Sequence, residues 1–415
     1  ADFIAQEGEG DGELAAQLLS HLTLTDRAKA LGYLSPESQA AVADQLSATA
    51  LARLMNKMES DERADLFKVM DEERQEAVLR QMAMDAREDL RLLASYEEGT
   101  VGAIMTSDYV AVPAGQKVST ALATVRATAP DAETIYQIYI IDEEQHLRGT
   151  VSLRELILSP PDGLVDDLMH ADPVTLTADA EQEEAARLIS RYDLLALPVL
   201  HADDRLVGIV THDDAMDVAQ AEATEDIHKA ATIGKLEHGV GQASMMELYR
   251  KRINWLVLLV FANIFTGFGI AYFEDVIQAY IVLVFFLPML VGSSGNAGAQ
   301  ASTLMVRGLA TGDVKRVDWS RLLGRELLVA AALGLTMALA VSTLGAWRGG
   351  QDIALIVAAS MVTVVIMGSM IGMSLPFMLN RLGWDPAAAS APLVTSIADV
   401  VGVLIYFSIA TAVLG

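Results

Sequence analysis

The sequence predicts a multidomain α plus α/β membrane protein: a helical acidic N-terminal domain (1–98), a duplicated α/β module (99–218), a connecting helix (219–250) and a five-helix transmembrane domain (251–415). Three observations lead there. Acid is confined to the first part: up to Arg250 there are 20 Lys and Arg against 47 Asp and Glu, and from Lys251 onward 9 against 8. A strand–helix–strand texture then occurs twice in succession, the mark of an internal duplication. Finally come five apolar stretches, each long enough, at roughly 1.5 Å per residue, to cross about 30 Å of hydrocarbon.

Composition also excludes. The chain has no cysteine, so a disulfide framework and thiolate metal sites are ruled out and oxygen ligands remain. A net charge of −26 without Lys/Arg stripes argues against nucleic acid as a partner. No nucleophile–base pair, P-loop or metal-hydrolase spacing points to an enzyme. The start, Ala1-Asp2-Phe3, is acidic and polar, unlike a signal peptide.

From Glu13 to Ser95 apolar residues such as Leu46, Leu51, Leu54 and Met58 recur at helical spacing. Capping signals at Ser35-Pro36-Glu37, Ser60-Asp61-Glu62 and Asp71-Glu72-Glu73 divide the segment into a stack of short helices. In the duplicated region strands are expected at Tyr109–Val112, Tyr136–Ile141 and Leu147–Ser152, with a helix over Val118–Ala127. The second copy offers Pro173–Leu176, a helix over Ala180–Tyr192, then Leu197–Leu200 and Arg205–Thr211. The copies end in Gly149-Thr150-Val151-Ser152-Leu153-Arg154-Glu155 and Gly208-Ile209-Val210-Thr211-His212-Asp213-Asp214.

Paired modules with these exits resemble tandem CBS domains. In that family a hydroxyl and a carboxylate at the exit often hold an adenosine ribose, which implies Thr175, Pro198, Thr211 and Asp214 as nucleotide-binding candidates, for ATP or another adenine nucleotide. The first copy has Glu155 where aspartate is usual, and no nucleotide is expected there. His170, His201 and His212 lack ligand spacing and read as ordinary loop residues.

A charged helix around Glu222–Lys229 leads on; Gly234, Gly239 and Gly241 loosen the chain before Ser244 caps the next helix. The apolar spans are Ile253–Phe273, Val276–Val306, Leu322–Trp347, Ile353–Leu379 and Ala387–Leu414. Arg250, Lys251, Arg252, Arg307, Lys315, Arg316, Arg321, Arg325 and Arg381 flank one side of these spans, while the other has Arg348 with Glu274 and Asp275. By the positive-inside rule the acidic region is cytosolic and the C-terminus outside. The last span holds Asp399, a carboxylate costing roughly 2.5–3.5 kcal/mol at membrane depth, and so expected to face water, a cation or a partner. Pro288, Pro376 and Pro392 are expected to free carbonyls in three spans. The Gly/Ser-rich stretch Pro288–Thr303 suits close helix packing, and Asn296 and Gln300, four apart, are placed to hydrogen-bond across the bundle.

Gly295-Asn296-Ala297-Gly298-Ala299-Gln300, the Arg307-Gly308-Leu309-Ala310 run, the Gly383-Trp384-Asp385-Pro386-Ala387 loop and Pro392 to Gly402 together resemble the MgtE family of magnesium channels. Nearly the whole chain is covered, although Ser294 stands where family pores often have glycine and the connector is poorer in acid, with Glu237 its main survivor. The resemblance implies a homodimer in a bacterial inner membrane, with a Mg2+ pore on its two-fold axis. Two Asp399 carboxylates would hold a hydrated ion, whose waters would bond to carbonyls around Thr395, Ala398 and Gly402, with Asn296 and Gln300 facing them. Candidate regulatory metal ligands are Asp203, Asp213, Glu225, Asp226, Glu237 and Asp385, the last equally a pore-mouth or capping residue. Cytosolic Mg2+ would bridge these acids and close the pore. Rival readings are a pore for Co2+ or Mn2+, a membrane-anchored CBS nucleotide sensor, and a CBS-bearing chloride channel, a class that needs about twice the spans.

Overall fold

A computed structural model describes residues 12–234, 236 and 243–414. Two compact units, Ala1–Gln220 and Ala221–Gly415, make up the chain.

Among the described residues the first unit begins with seven helices: α1 (Gly12–Ser20), α2 (Leu24–Gly32), α3 (Pro36–Gln45), α4 (Ala48–Met55), α5 (Ser60–Val69), α6 (Glu72–Leu79) and α7 (Met84–Ala94). Alternate helices pack together, α1 on α3, α3 on α5 and α5 on α7, with α2, α4 and α6 doing likewise, so the stack has two layers. Ser35 and Asp71 cap α3 and α6 as their sequence signals predict. Ser60 does not cap α5: that place falls to Glu59, and the Ser60 hydroxyl instead meets Thr106 Oγ1 at 2.9 Å and accepts from Ser107 N–H at 2.7 Å.

Each α/β module follows the expected pattern with shorter outer strands. The first contains β1 (Ala111–Pro113), α8 (Val118–Thr128), β2 (Gln137–Ile141), β3 (Leu147–Ser152), α9 (Leu153–Leu158) and β4 (His170–Ala171) in one sheet ordered β1-β2-β3-β4. The second contains β5 (Leu176–Thr177), α10 (Gln182–Tyr192), β6 (Ala196–Leu200) and β7 (Leu206–Thr211), ordered β5-β6-β7. Of the strand predicted at Pro173–Leu176, Pro173, Val174 and Thr175 therefore lie outside the one observed. Alternating apolar residues explain the sheets: Ile138, Ile140 and Val151 fill the core of the first module. Leu197, Val199 and Val210 join a core continuous with Leu51, Leu66 and Leu90 of the helical stack. Tyr139, Ala196, Leu206 and Ile209 fill the seam between modules.

Helix α11 (His212–Ala230) continues directly from the second module's exit. In the second unit, Ser244 caps α12 (Met245–Tyr272), its Oγ accepting from Glu247 N–H at 3.1 Å. The short α13 (Glu274–Ala279) precedes α14 (Val282–Ala310), so the span predicted from Val276 is broken near Tyr280, whose φ of −133° and ψ of 66° are not helical. The 63 residues of α15 (Trp319–Arg381) form two limbs, because Gly350 has φ 85° and ψ −172°. Glycine tolerates that φ without a steric penalty. The limbs fold back on each other: a Cβ at Gly334 would stand 2.9 Å from Val362 Cα, and one at Gly345 2.8 Å from Ala354 Cα. The final helix, α16 (Ala391–Leu414), begins later than the predicted Ala387. Four described helices, α12, α14, α15 and α16, are long and apolar enough to cross a membrane, and the two limbs of α15 cover two of the predicted spans.

Candidate functional site

The close packing of α14 sets the geometry around Asp399. Its Ser294, Gly295, Gly298, Ala301 and Ser302 are buried. Gly372 of α15 lies against the Gly298 carbonyl, and a Cβ at Gly298 would meet the Gly368 carbonyl at 2.8 Å. Such backbone approach needs small residues on both helices. Ser294 Oγ donates to Val364 O at 2.8 Å, and Ser302 Oγ to Ala389 O at 2.7 Å, which fastens α14 to α15 and to the loop before α16.

On α16, Thr395 and Gly402 lie over the same stretch of α14: a Cβ at Gly295 would stand 2.8 Å from Thr395 Cγ2, and one at Gly402 3.9 Å from Val291 Cγ2. Ala398 is buried and Asp399 half-buried. Asp399 is the only carboxylate of α16, and its Oδ1 is buried with no hydrogen-bond partner among the described residues. A buried, unpaired carboxylate oxygen carries its full desolvation cost, so it calls for a cation, a donor or water beyond the described residues.

Asn296 and Gln300 do not hydrogen-bond across the chain's own bundle as their spacing suggests. Both are exposed, with Gly292, on the strip of α14 opposite its packed glycines, because the small residues claim the buried face. Nor do all three prolines open a span. Pro288 and Pro376 lie inside α14 and α15, but Pro392 is in the first turn of α16, where its missing N–H has no helical acceptor to leave vacant.

A second cluster joins α11 to the loop before α16. Lys229 Nζ lies 2.7 Å from Glu225 Oε1 and 2.5 Å from Asp385 Oδ2. The other Asp385 oxygen accepts from Ala387 N–H at 2.8 Å, so Asp385 does cap its turn. Burial by itself would lower the Lys229 pKa, but the hydrogen bonds to Asp385 and Glu225 overcome it and raise it. Burial, then the Asp385 carboxylate, push Asp226 up from the ordinary aspartate value. Sequence spacing shows the Glu225–Lys229 pair at i,i+4, whereas the contact to Asp385 spans 156 positions and leaves no local signal. Glu237 lies outside the described residues.

A third cluster, inside the first unit, gathers carboxylates from the helical stack and both modules. Burial is the main cause that pushes Asp61 up to about 7, Glu62 and Glu133 to about 8, and Asp214 to about 6. Asp61 and Glu133 are each repelled by Asp214 and Glu59, and Glu62 by Glu59 and Asp61. Asp61 Oδ1 and Glu133 Oε2 are buried without hydrogen-bond partners among the described residues. Of this group only Asp214 is a candidate from sequence; Asp61 and Glu62 resemble ordinary helix-face acids, and Glu133, in the loop before β2, carries no local signal. Asp213, beside Asp214, is exposed. Asp203 is elsewhere, in the β6–β7 turn, where His201 Nδ1 and Arg205 Nε each approach it at 2.8 Å.

The nucleotide candidates are divided. Thr211 donates to Asp214, while Pro198 is buried in β6 opposite Ile209. Thr175 lines a separate cavity of about 470 Å³ with His146, Arg148, Asp172 and Asp204. In the first module Glu155 accepts from Ser152 N–H and Oγ and meets His170 Nε2 at 2.9 Å. Those bonds hold Glu155 down at about 2, the Ser152 hydroxyl first among them. His170 and His201 are thus partners of carboxylates rather than idle loop residues.

An array of helices on a pair of CBS modules, followed by membrane-length helices enclosing a carboxylate, defines a multi-pass membrane protein with tandem CBS domains. Sequence comparison narrows the class. Family models match for the divalent cation transporter MgtE at 287–409, the MgtE intracellular N domain at 4–99, and CBS domains at 101–161 and 165–221. The magnesium transporter MgtE of Thermus thermophilus is 39% identical over 418 residues, which span 100% of this chain and 92% of the relative. That of Bacillus subtilis is 38% identical, over 96% of this chain and 88% of the relative. The crystal structure of the cytosolic domain of the Mg2+ channel MgtE in complex with ATP matches with a TM-score of 0.50 and 38% identity, covering 52% of this chain and 89% of that one. The chain belongs to the MgtE family of magnesium transporters.

Proposed function

We propose that this chain is a Mg2+-selective channel of the bacterial inner membrane, acting as a homodimer whose pore runs along the two-fold axis. The observation that carries this is the buried Asp399 Oδ1 on an apolar helix, without a hydrogen-bond partner among the described residues. Two such oxygens, one per protomer, balance the charge of one divalent ion. Mg2+ dehydrates reluctantly, so a pair of carboxylates that touches its water shell, with carbonyls of Thr395, Ala398 and Gly402 as further acceptors, suits it better than a close-fitting cage. The exposed amides of Asn296 and Gln300 favour the same arrangement, since polar groups at membrane depth belong on a water-filled path or against a partner. With the acidic N-terminal unit in the cytosol, the C-terminus of α16 lies outside.

Gating follows from the acids. Cytosolic Mg2+ binds among carboxylates of the helical stack, the CBS modules and α11, removes their repulsion and holds the pore closed; when Mg2+ falls, repulsion returns and it opens. Differential binding to the closed state supplies the energy of the switch. The raised Asp61, Glu62, Glu133 and Asp214 support this, because a site that strains to keep its protons gains most from a divalent ion. Glu225, Asp226 and Asp385 serve the closing contact beside the membrane, where Lys229 already supplies one positive charge. An adenine nucleotide at the CBS pair modulates the switch, as the ATP complex of the matched cytosolic domain suggests.

The test is Mg2+ flux into liposomes. Asp399→Ala should lose most of it while the protein elutes as the same oligomer; undiminished flux would refute the proposal, and flux of Co2+ or Mn2+ alone would redirect it to another divalent ion.

A further inference from the structure

A cavity of about 690 Å³ opens where α15 ends and α16 begins. Ile371, Phe377, Met378 and Ile397 supply apolar walls, and Trp319 and Arg381 complete it from the two ends of α15. We propose that it is a binding site for one anionic phospholipid, with an acyl chain along the walls and the phosphate on the Arg381 guanidinium.

The chemistry is that of a membrane boundary. Arg381 is exposed and makes no ion pair among the described residues. Trp319 is 41% exposed and carries an amphipathic ring of the kind enriched at headgroup level. Lys315, Arg321 and Arg325 surround the start of the same helix in sequence, so this end of the bundle is basic. Basic pockets between membrane helices select anionic headgroups. An acyl chain that enters the cavity leaves one hydrocarbon for another, so the apolar walls contribute shape and little net affinity. Selection therefore rests on Arg381, which singles out a lipid with net negative charge. A soluble phosphate would leave the apolar walls unused. A zwitterionic lipid brings its own ammonium to compete with Arg381.

Tryptophan fluorescence reads this without reference to transport. The chain has four Trp. Replacing Trp255, Trp347 and Trp384 by Phe in the full protein leaves Trp319 as the reporter. In phosphatidylcholine liposomes, phosphatidylglycerol with brominated chains should quench Trp319 at least twofold more than brominated phosphatidylcholine at equal mole fraction. Arg381→Gln should equalise the two, and Arg381→Lys should keep the preference. High salt should weaken it in the unsubstituted-Arg381 protein, which needs no further variant to fold. Equal quenching by both lipids, or a preference that survives Arg381→Gln, would overturn the proposal. Absence of quenching by either would overturn it too, by showing that protein, such as a second copy, covers Trp319.

Discussion

Lys229 stands between two carboxylates that the proposed gating mechanism would otherwise offer to a metal ion. Its ammonium spans Glu225 on its own helix and Asp385 in the loop before α16, so part of the charge balance of the proposed closing contact is built into the chain. Lys229→Met should remove the cation that Glu225 and Asp385 share and make closure need more Mg2+. A half-exposed ion pair is worth up to about 1 kcal/mol, so the half-inhibiting Mg2+ concentration should rise by up to about fivefold. Titration of single-channel activity against cytosolic Mg2+ measures the shift, and an unchanged curve would show that Lys229 bears no part of the closing contact. Asp399 differs in kind, because its buried oxygen has no partner within the described chain.

Among elements, α14 is decisive because it has two faces with different purposes. The glycines and serines of the packed face bring backbone against backbone, with Gly372 beside the Gly298 carbonyl and Gly368 beside that of Ser294. Any side chain added at Gly372 must move α14 or α15. Gly372→Val should therefore cost about 1–3 kcal/mol by overpacking, seen as a lower melting temperature of the purified protein in detergent. The control is Gly292, on the exposed strip, where an added Cβ meets nothing within 4 Å; Gly292→Ala should not lower the melting temperature, since alanine favours the helix. Equal effects at both positions would contradict this division of α14.

For the whole molecule, the proposed gating predicts that the acid cluster of the first unit links proton and metal concentrations. Asp61, Glu62, Glu133 and Asp214 all have folded pKa values raised above those of an exposed carboxyl. Their contribution to the packing of the helical stack on the modules is thus fully present below about pH 4. It is lost as the pH rises through about 6 to 8. At neutral pH and above the cluster is charged and self-repelling, and a divalent ion should restore what the protons supplied. Protection of the N-terminal unit from a protease should accordingly depend strongly on Mg2+ at pH 8 and weakly at pH 5.5. Equal Mg2+ dependence at both values would dissociate the cluster from cation binding.

The sequence alone determined the order of helical stack, paired modules, connector and apolar spans, because each is encoded by local signals: periodicity, charge segregation, a repeated exit motif and unbroken apolar length. It also determined that Asp399 is exceptional, since the cost of a carboxylate at membrane depth depends on its apolar neighbours in sequence. Tertiary structure decided what each helix face does. Asn296 and Gln300 have the spacing of a bundle contact yet face outward, because Gly295 and Gly298 can be buried more closely. Ser60 looks like a cap yet reaches Thr106, and Lys229 finds Asp385 far along the chain. Asp61 and Glu62 read as acids of a solvated helix face, and Glu133 has no local signal, until folding gathers them beside Asp214. Short-range pattern specifies which elements form, but the energy of a charge depends on what the fold brings within a few ångströms of it, and that separation in space is not written in the spacing along the chain.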